Sequence, residues 1–393
     1  MHVKTEFKIN AAAQVKPAMY PYYKHIYDHL LEQISSGKLN AGDKLPSEKE
    51  LCGMFGVSRI TSKKALELLA EEGLISRLPG KGSFVGGSPG RKAVRSFTAS
   101  RFIGLIISDF NDAFGTRLLY AIEEACTALG YHLILKRTRD SAAEEERALK
   151  SLADESAAGI LMLPAHGEYY NAEILKQILN KRPLVFVDRK MKGLPVPSVA
   201  TDNVTTARLG VEYLLRLGHR NIAFYSGPVE YISTVEARWN GFIKAFADSG
   251  IVLDPAFVCL NISTEDGMDA VKDHLAERPE ITAAFASEFS IALIVKHAAW
   301  ALGRSIPGDL SLITVDSPVY TPDGPALTFL RQDEDEIGKR AVESLHAIIM
   351  GADPSSIGDI LIPAQLLTGG STLPPKKNPG DLRKKELAFP ANL

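Results

Sequence analysis

The sequence predicts an α/β protein in two parts: a small helical head ending in a β-hairpin, and a two-lobed, doubly wound α/β body. Three observations carry that expectation. Residues 22–72 show apolar spacings of three and four, the period of short amphipathic helices. Residues 86–101 are rich in Gly, Ser and basic residues, the composition of a linker. From residue 101 onward, short continuous apolar runs alternate with helical stretches, the pattern of parallel sheets covered on both faces.

Met1–Tyr20 has no clear period and reads as an extension, residues 1–20. Tyr23, Ile26, Leu30 and Ile34 lay one apolar stripe along a helix over Tyr22–Ser36, which Gly37 and the Asn40-Ala41-Gly42-Asp43 cluster end. Ser47 with Glu50 three residues on is a capping box for a second helix, Glu48–Phe55, stopped by Gly56. Ser58 caps a third, Arg59–Glu72, closed by Gly73. Leu74-Ile75 and Phe84-Val85 flank Pro79-Gly80-Lys81-Gly82, a hairpin. Residues 21–85 therefore read as a winged helix-turn-helix. The linker at 86–101, if flexible, spans on the order of 20 Å.

In the body, residues 102–370, seven strands are expected: Ile103–Ser108, His132–Lys136, Gly159–Leu163, Leu184–Asp188, Ile222–Ser226, Thr282–Ser287 and Leu312–Asp316. Helical stretches such as Leu118–Leu129 and Thr205–Leu217 lie between them. Nearly 270 residues exceed one small doubly wound domain, so two lobes with a cleft are expected. Such sheets place ligands at the carboxyl ends of their strands. No internal repeat stands out. Residues 371–393, opening on Ser371-Thr372-Leu373-Pro374-Pro375, read as a flexible tail.

Charge separates the two parts. Residues 1–101 hold 16 Lys/Arg against 9 Asp/Glu, whereas residues 102–393 hold 29 against 38. A basic head on an acidic body points the head, not the body, at a polyanion. Nothing approaches 18 consecutive apolar residues, and the first 30 lack a secretory core, so no membrane partner is expected. Cys52, Cys126 and Cys259 lie far apart, which excludes a disulfide framework and suits a reducing, cytoplasmic setting.

The head has the chemistry of a DNA reader. Its third helix opens Val57-Ser58-Arg59-Ile60-Thr61-Ser62-Lys63-Lys64, hydroxyls and cations without a carboxylate. A helix of that kind can enter a major groove, its N-terminus favouring phosphate and its side chains reaching base edges. Arg59 is the candidate for bidentate guanine readout, and Lys63 for a base or phosphate. Gly80-Lys81-Gly82-Ser83 brings backbone amides and a cation to the wing tip. These residues resemble the GntR family of bacterial regulators. Leu45-Pro46-Ser47-Glu48-Lys49-Glu50-Leu51, Val57-Ser58-Arg59-Ile60-Thr61, Ala65-Leu66-Glu67-Leu68-Leu69 and Gly80-Lys81-Gly82-Ser83-Phe84-Val85 follow its pattern in order and spacing. The resemblance implies that Lys49, Ser58, Arg59, Thr61, Lys63 and Gly80 lie at double-stranded operator DNA. Lys49 and Lys63 stand where arginine is frequent, which spares phosphate contact more than base discrimination.

The body resembles the LacI-type effector domain, itself similar to periplasmic sugar-binding proteins. Arg101-Phe102-Ile103-Gly104, Val187-Asp188-Arg189, Thr201-Asp202-Asn203, Leu217-Gly218-His219-Arg220, Arg238-Trp239-Asn240-Gly241, Ile306-Pro307-Gly308-Asp309 and Val315-Asp316-Ser317 run in family order. A GntR head on such a body resembles the arabinose-repressor group. The resemblance implies a homodimer controlled by a small effector, a monosaccharide such as arabinose or a derivative, with Asp188, Arg238 and Asp316 as contacts. Arg238 offers a donor fork and the two aspartates offer acceptors. Asp109, Phe110, Asn111 and Phe114 follow the first strand and could close one wall. Glu288-Phe289 stands where the family usually has Asn-Asp; Glu288 can still accept from hydroxyls or meet a cation, but repels an anion. Asp188 and Asp316 could instead cap their own turns, Arg238 could be a helix-face ion pair, and Trp239 and His219 fit structural roles.

Other signals carry no chemistry. Gly86-Gly87-Ser88-Pro89-Gly90 matches a hydrolase pattern but lies in a linker rather than a strand-to-helix elbow. The nine histidines form no metal-ligand cluster, and Gly80-Lys81 lacks the earlier glycine of a phosphate loop. No cofactor, metal or catalysis is expected. The alternative is a DNA-binding regulator whose body only dimerises or senses a non-sugar metabolite.

Overall fold

A computed structural model describes residues 22–86, 100–165, 171–230, 232–263, 266–318 and 326–376. The chain divides into two compact units, Met1–Ala93 and Val94–Leu393. The expected extension at 1–20 and nearly all of the expected linker at 86–101 lie outside the described residues.

The head contains α1 (Tyr22–Ser35), α2 (Glu48–Phe55), α3 (Arg59–Glu71), β1 (Ile75–Leu78) and β2 (Gly82–Val85). The capping box forms: Ser47 Oγ accepts from Glu50 N, while the Glu50 carboxylate accepts from Ser47 N at 2.7 Å. Gly56, at φ 64°, ends α2 in the left-handed region that other residues enter at a cost, and so sets the tight turn into α3. Ser58 caps α3, accepting from Thr61 N. β1 and β2 pair antiparallel from Ile75↔Val85 to Leu78↔Gly82. Helix α3 packs on α1, α2 and β1. Ile26, Leu30, Leu51, Leu66, Leu69 and Leu74 are almost fully buried, so the apolar stripes read in the sequence are the core.

The body has two lobes of matching design. The N-lobe runs β3 (Phe102–Ile107), α4 (Thr116–Ala128), β4 (His132–Arg137), α5 (Ala142–Asp154), β5 (Gly159–Met162), α6 (Ala172–Leu179), β6 (Leu184–Val187) and β7 (Ser198–Thr201). The C-lobe runs α7 (Asn203–Arg216), β8 (Ile222–Tyr225), α8 (Ser233–Asp248), β9 (Val258–Cys259), α9 (Gly267–Glu277), β10 (Ala283–Ala286), α10 (Phe289–Ala301), β11 (Ser311–Val315) and β12 (Thr328–Arg331). The chain then returns with α11 (Glu334–Ile349), α12 (Pro354–Ile357) and β13 (Asp359–Ile362), and ends in the C-lobe with β14 (Gln365–Leu367). The N-lobe sheet has the order β13-β7-β6-β5-β3-β4 and the C-lobe sheet β14-β12-β11-β10-β8-β9. The pairings are parallel except β12 with β14. The chain therefore passes between lobes three times, after β7, after β12 and after β13.

Each sheet is covered on both faces, as its continuous apolar strands require. In the N-lobe, α4 and α11 cover one face through Leu118, Ile122, Val342 and Leu345, and α5 and α6 the other through Leu149, Leu152 and Ile174. In the C-lobe, α9 and α10 cover one face and α7 and α8 the other. Gly241 lets α8 lie close on α7, since a Cβ there would stand 2.2 Å from Val204 O.

Residues 371–376, the opening of the expected flexible tail at 371–393, are held in place. Ser371 Oγ accepts from Thr328 N at 2.8 Å and donates to Leu312 O at 2.6 Å, while Leu312 N donates to Ser371 O. Buried His219 binds Leu373 O through Nε2 at 2.9 Å and faces Thr282 through Nδ1, and burial lowers its pKa. Polar bonding rather than an apolar period pins 371–376, which is why composition alone read it as loose. Residues 377–393 lie outside the described part.

Candidate functional site

Two surfaces carry functional chemistry. In the head, the start of α2, the start of α3 and the hairpin surround a cavity of about 540 Å³ lined by Ser47, Glu48, Lys49, Arg59, Arg77, Pro79, Gly80 and Ser83, among others. Helix caps put Ser58 and Thr61 at the N-terminus of α3, their hydroxyls 2.9 Å apart. Arg59, Lys63, Lys49 and Lys81 are exposed, and Gly80 turns the hairpin at φ 73°. Lys63 leans on Glu67 at 3.5 Å, an exposed pair of small energetic weight. The structure thus gathers Lys49, Arg59 and Gly80 around one groove, with Lys81 at the wing tip.

Two residues here escaped the sequence reading. Arg77, on β1, lines the groove and pairs with Glu48 and Glu67, so it neutralises the two carboxylates nearest the cations. Strand alternation marks it only as an outward position. Ile60 follows Arg59 and is 82% exposed, an apolar side chain held out from the first turn of α3. Its exposure was visible as a break in the apolar stripe.

The second surface lies where both sheets present the carboxyl ends of their strands. Asp188 follows β6, and Asp316 follows β11, the corresponding strand of the other lobe. Each donates its N–H to the neighbouring strand, to Val199 O and Leu330 O, and then turns into the left-handed region at φ 63° and 56°. Aspartate adopts that region more readily than most residues, yet two such positions at matching strand ends mark a constrained site. Both carboxylates are buried, at 6% and 7% exposure. Burial raises the Asp188 pKa against the pull of Arg189 and Arg238. Burial pushes Asp316 up to about 7, although Arg238 and hydrogen bonds from Gln332 act the other way.

Arg238, 6% exposed on α8, acts electrostatically on both aspartates. Its Nε donates to Asn203 Oδ1 at 2.7 Å and its Nη1 to Ser287 O at 2.8 Å. It is therefore neither a solvent-facing ion pair nor loose. Asp316 does not cap its own turn: it accepts from Gln332 N at 3.2 Å and Gln332 Nε2 at 2.6 Å. Trp239 stacks on Phe242 and belongs to the core.

The buried polar atoms that lack a hydrogen-bond partner gather here. Among the described residues they are Ser76 Oγ in the head and, in the body, Asp188 Oδ1, Arg189 Nε, Thr201 Oγ1, Ser226 Oγ, Ser287 Oγ and Gln332 Oε1. The body members all sit at the carboxyl ends of β6, β7, β8, β10 and β12. Each such atom costs about 1–3 kcal/mol when left unsatisfied, and six of them stand together at these strand ends. Sequence reading missed Thr201, Ser226, Ser287 and Gln332, because a hydroxyl or amide at a strand end looks like an ordinary terminator.

The other expected contacts are spread out. Asp109 is exposed, caps Phe110 N and pairs with Arg137 at 2.9 Å, which lowers its pKa. Asn111 Oδ1 accepts from Ala113 N and Phe114 N, and Phe114 packs on the N-lobe core. Glu334, from the second passage between lobes, anchors this loop: its carboxylate accepts from Gly115 N at 2.7 Å and Leu118 N at 3.1 Å. Glu288 is exposed at the start of α10 and accepts from Ser290 Oγ at 2.7 Å. No helix is long and apolar enough to cross a membrane among the described residues.

Comparison with known proteins follows the same division. Residues 22–85 match the family of bacterial regulatory proteins, gntR family, and residues 100–369 match periplasmic binding proteins and sugar binding domain of LacI family. The chain is 26% identical over 370 residues to the arabinose metabolism transcriptional repressor of Geobacillus stearothermophilus, 91% of this chain and 99% of that protein. It is 29% identical over 245 residues to catabolite control protein A of Priestia megaterium, 62% of this chain and 73% of that one. The transcription regulator CcpA of Lactococcus lactis shares the fold with a TM-score of 0.62 at 20% identity, over 70% of this chain and 99% of that chain. The two-lobed body, its matched strand-end aspartates and the winged head thus come together in one statement: the chain belongs to the LacI-type family of periplasmic binding proteins and sugar-binding domains, joined to a GntR-type DNA-binding head, and is a transcriptional regulator.

Proposed function

We propose that the protein is a cytoplasmic, homodimeric repressor of carbohydrate-utilisation genes, released from or tuned on its operator by a small sugar-type effector held between the lobes. One observation carries this reading: the unpartnered buried polar atoms and the Asp188–Arg238–Asp316 group converge where parallel sheets bind ligands. Asp188 and Asp316 accept from sugar hydroxyls and Arg238 aligns them, with Asp109, Asn111 and Glu288 farther out and Phe114 supporting the loop after β3 from the N-lobe core. Closure of the lobes on the effector changes the dimer and so the operator affinity. That needs differential affinity for two states, typically about 1–3 kcal/mol of coupling. A thermal-shift screen of the full chain against pentoses, hexoses and their acids tests it. A bound sugar at a hundredfold excess over Kd stabilises by about 2.7 kcal/mol. No response to any sugar would favour a body that only dimerises or senses another metabolite.

In the head, Lys49, Ser58, Arg59, Thr61, Lys63, Gly80 and Lys81 meet the duplex. Arg59→Ala is expected to weaken binding to an operator selected from random duplexes by about 1–3 kcal/mol and to relax its sequence preference. Lys81→Ala is expected instead to weaken all sequences alike and flatten the salt slope by about one unit. Fluorescence anisotropy across salt concentrations separates the two, and unchanged specificity in Arg59→Ala removes its readout role.

Homodimerisation draws on α10, whose outer face leaves Trp300 80% exposed two turns beyond half-buried Leu293. An exposed tryptophan is a common anchor of protein–protein contacts. Trp300→Glu is expected to shift sedimentation from dimer to monomer with no loss of thermal stability in the body. A dimer that persists assigns the contact elsewhere.

A further inference from the structure

The charges around the cleft narrow the class of ligand, an inference that rests on the sugar-effector reading above. The two guanidiniums next to the buried aspartates both make hydrogen bonds within the protein, with Arg189 Nε alone among the atoms of this pair left buried and without a hydrogen-bond partner. Arg238 donates to Asn203 and Ser287, and Arg189 donates to Asp140 at 3.2 Å and to Pro164 O at 3.3 Å. Against them stand four carboxyl groups: Asp188 and Asp316, both buried, of which Asp316 takes its charge only near pH 7, Asp140, and Glu288 just after β10. Asp188 Oδ1 is buried without a partner, and so is the acceptor Gln332 Oε1. Arg189 approaches the other Asp188 oxygen only to 3.8 Å. Carboxyl groups thus outnumber guanidiniums four to two around the described site.

Three classes of hydroxylated ligand meet this site differently. A sugar acid or sugar phosphate adds negative charge to a surplus of it, in a setting where burial weakens screening. A neutral sugar satisfies the acceptors but leaves the charge. An ammonium donates three hydrogen bonds and neutralises a carboxylate at once. We propose that the cleft takes a polyhydroxylated amine, an amino sugar in its cationic form, with the ammonium on the open oxygen of Asp188, and that it rejects sugar acids and phosphates.

Isothermal titration of the full chain with matched sets tests this: glucosamine, glucose and glucuronate, then galactosamine, galactose and galacturonate. The expected result is an amine bound at least tenfold more tightly than its neutral partner in one set, with no binding of the acids. Asp188→Asn should weaken the amine at least tenfold more than the neutral sugar and so erase the preference, because asparagine keeps the left-handed backbone and hydrogen bonding without charge. Glu288→Gln, on an exposed side chain, should reduce it. Neutral sugars binding as well as amines, or acids binding more tightly, overturns the proposal and leaves the sugar-effector reading standing. A blank with every member of both sets overturns both.

Discussion

Replacing Arg238 with alanine is expected to abolish the effector response and to destabilise the body by on the order of 3–5 kcal/mol, the usual cost of stripping one partner from a buried charge group. Three consequences add up. Asn203 Oδ1 and Ser287 O lose their donor. Asp188 and Asp316 lose the one cation that acts on both. The packed contact of α8 at the lobe junction also loses its longest side chain. Because the two carboxyls can take up protons instead, the loss should be larger at pH 8 than at pH 5. Arg238→Ala with Asp316→Asn should recover part of the stability but none of the effector response. Urea unfolding and effector titration of both variants provide the check. An Arg238→Ala protein with unchanged stability and intact response would show that the guanidinium neither supports nor binds.

Asp316 is expected to make the unliganded protein less stable as pH rises. In the folded state its carboxyl keeps a proton up to about pH 7, whereas an unperturbed aspartate loses it near 3.8. Between those values the folded state binds more protons than the unfolded chain, so raising the pH favours unfolding. The stabilising contribution is complete below the lower value and lost through the upper one. At about 1.4 kcal/mol per pH unit its ceiling is about 4 kcal/mol. Asp188, Glu145 and Glu334 are also raised by burial and act in the same direction, while His219 and His274, lowered by burial, act in the opposite one. The difference between wild type and Asp316→Asn isolates the one group. Denaturation at pH 5, 6, 7 and 8 should show the gap between the two proteins changing with pH; parallel curves would refute the assignment.

The readable parts of the fold were those where one physical cause acts alone. Six of the seven expected body strands were found because they are continuous apolar runs buried on both faces, as Ala283–Ala286 and Leu184–Val187 show, while the half-exposed edge strand His132–Arg137 showed through its Leu133-Ile134-Leu135 centre. Strands such as Ser198–Thr201 and Thr328–Arg331 mix hydroxyls with apolar residues and are only four residues long, so no period accumulates. Gln365–Leu367 takes its place from pairing with β12, a long-range fact invisible in three residues. The likeness of the two lobes was equally hidden, since it resides in strand order and in the placing of Asp188 and Asp316 rather than in repeated sequence. In the site, charged residues stood out by type. Asn203, which orients Arg238, did not, because its amide reads as the start of a helix.

The three passages of backbone between the lobes carry a consequence for biosynthesis. The N-terminal sheet acquires its last strand, Asp359–Ile362, only after the other lobe has been made through Thr328–Arg331, and that other sheet is finished still later by Gln365–Leu367. Neither sheet can close until these two late strands have been made, so the nascent body waits with open sheet edges until they emerge. A stop codon anywhere before residue 359 would thus spoil both halves together, and secretion of either half as a free-standing fragment would demand a rewired chain order.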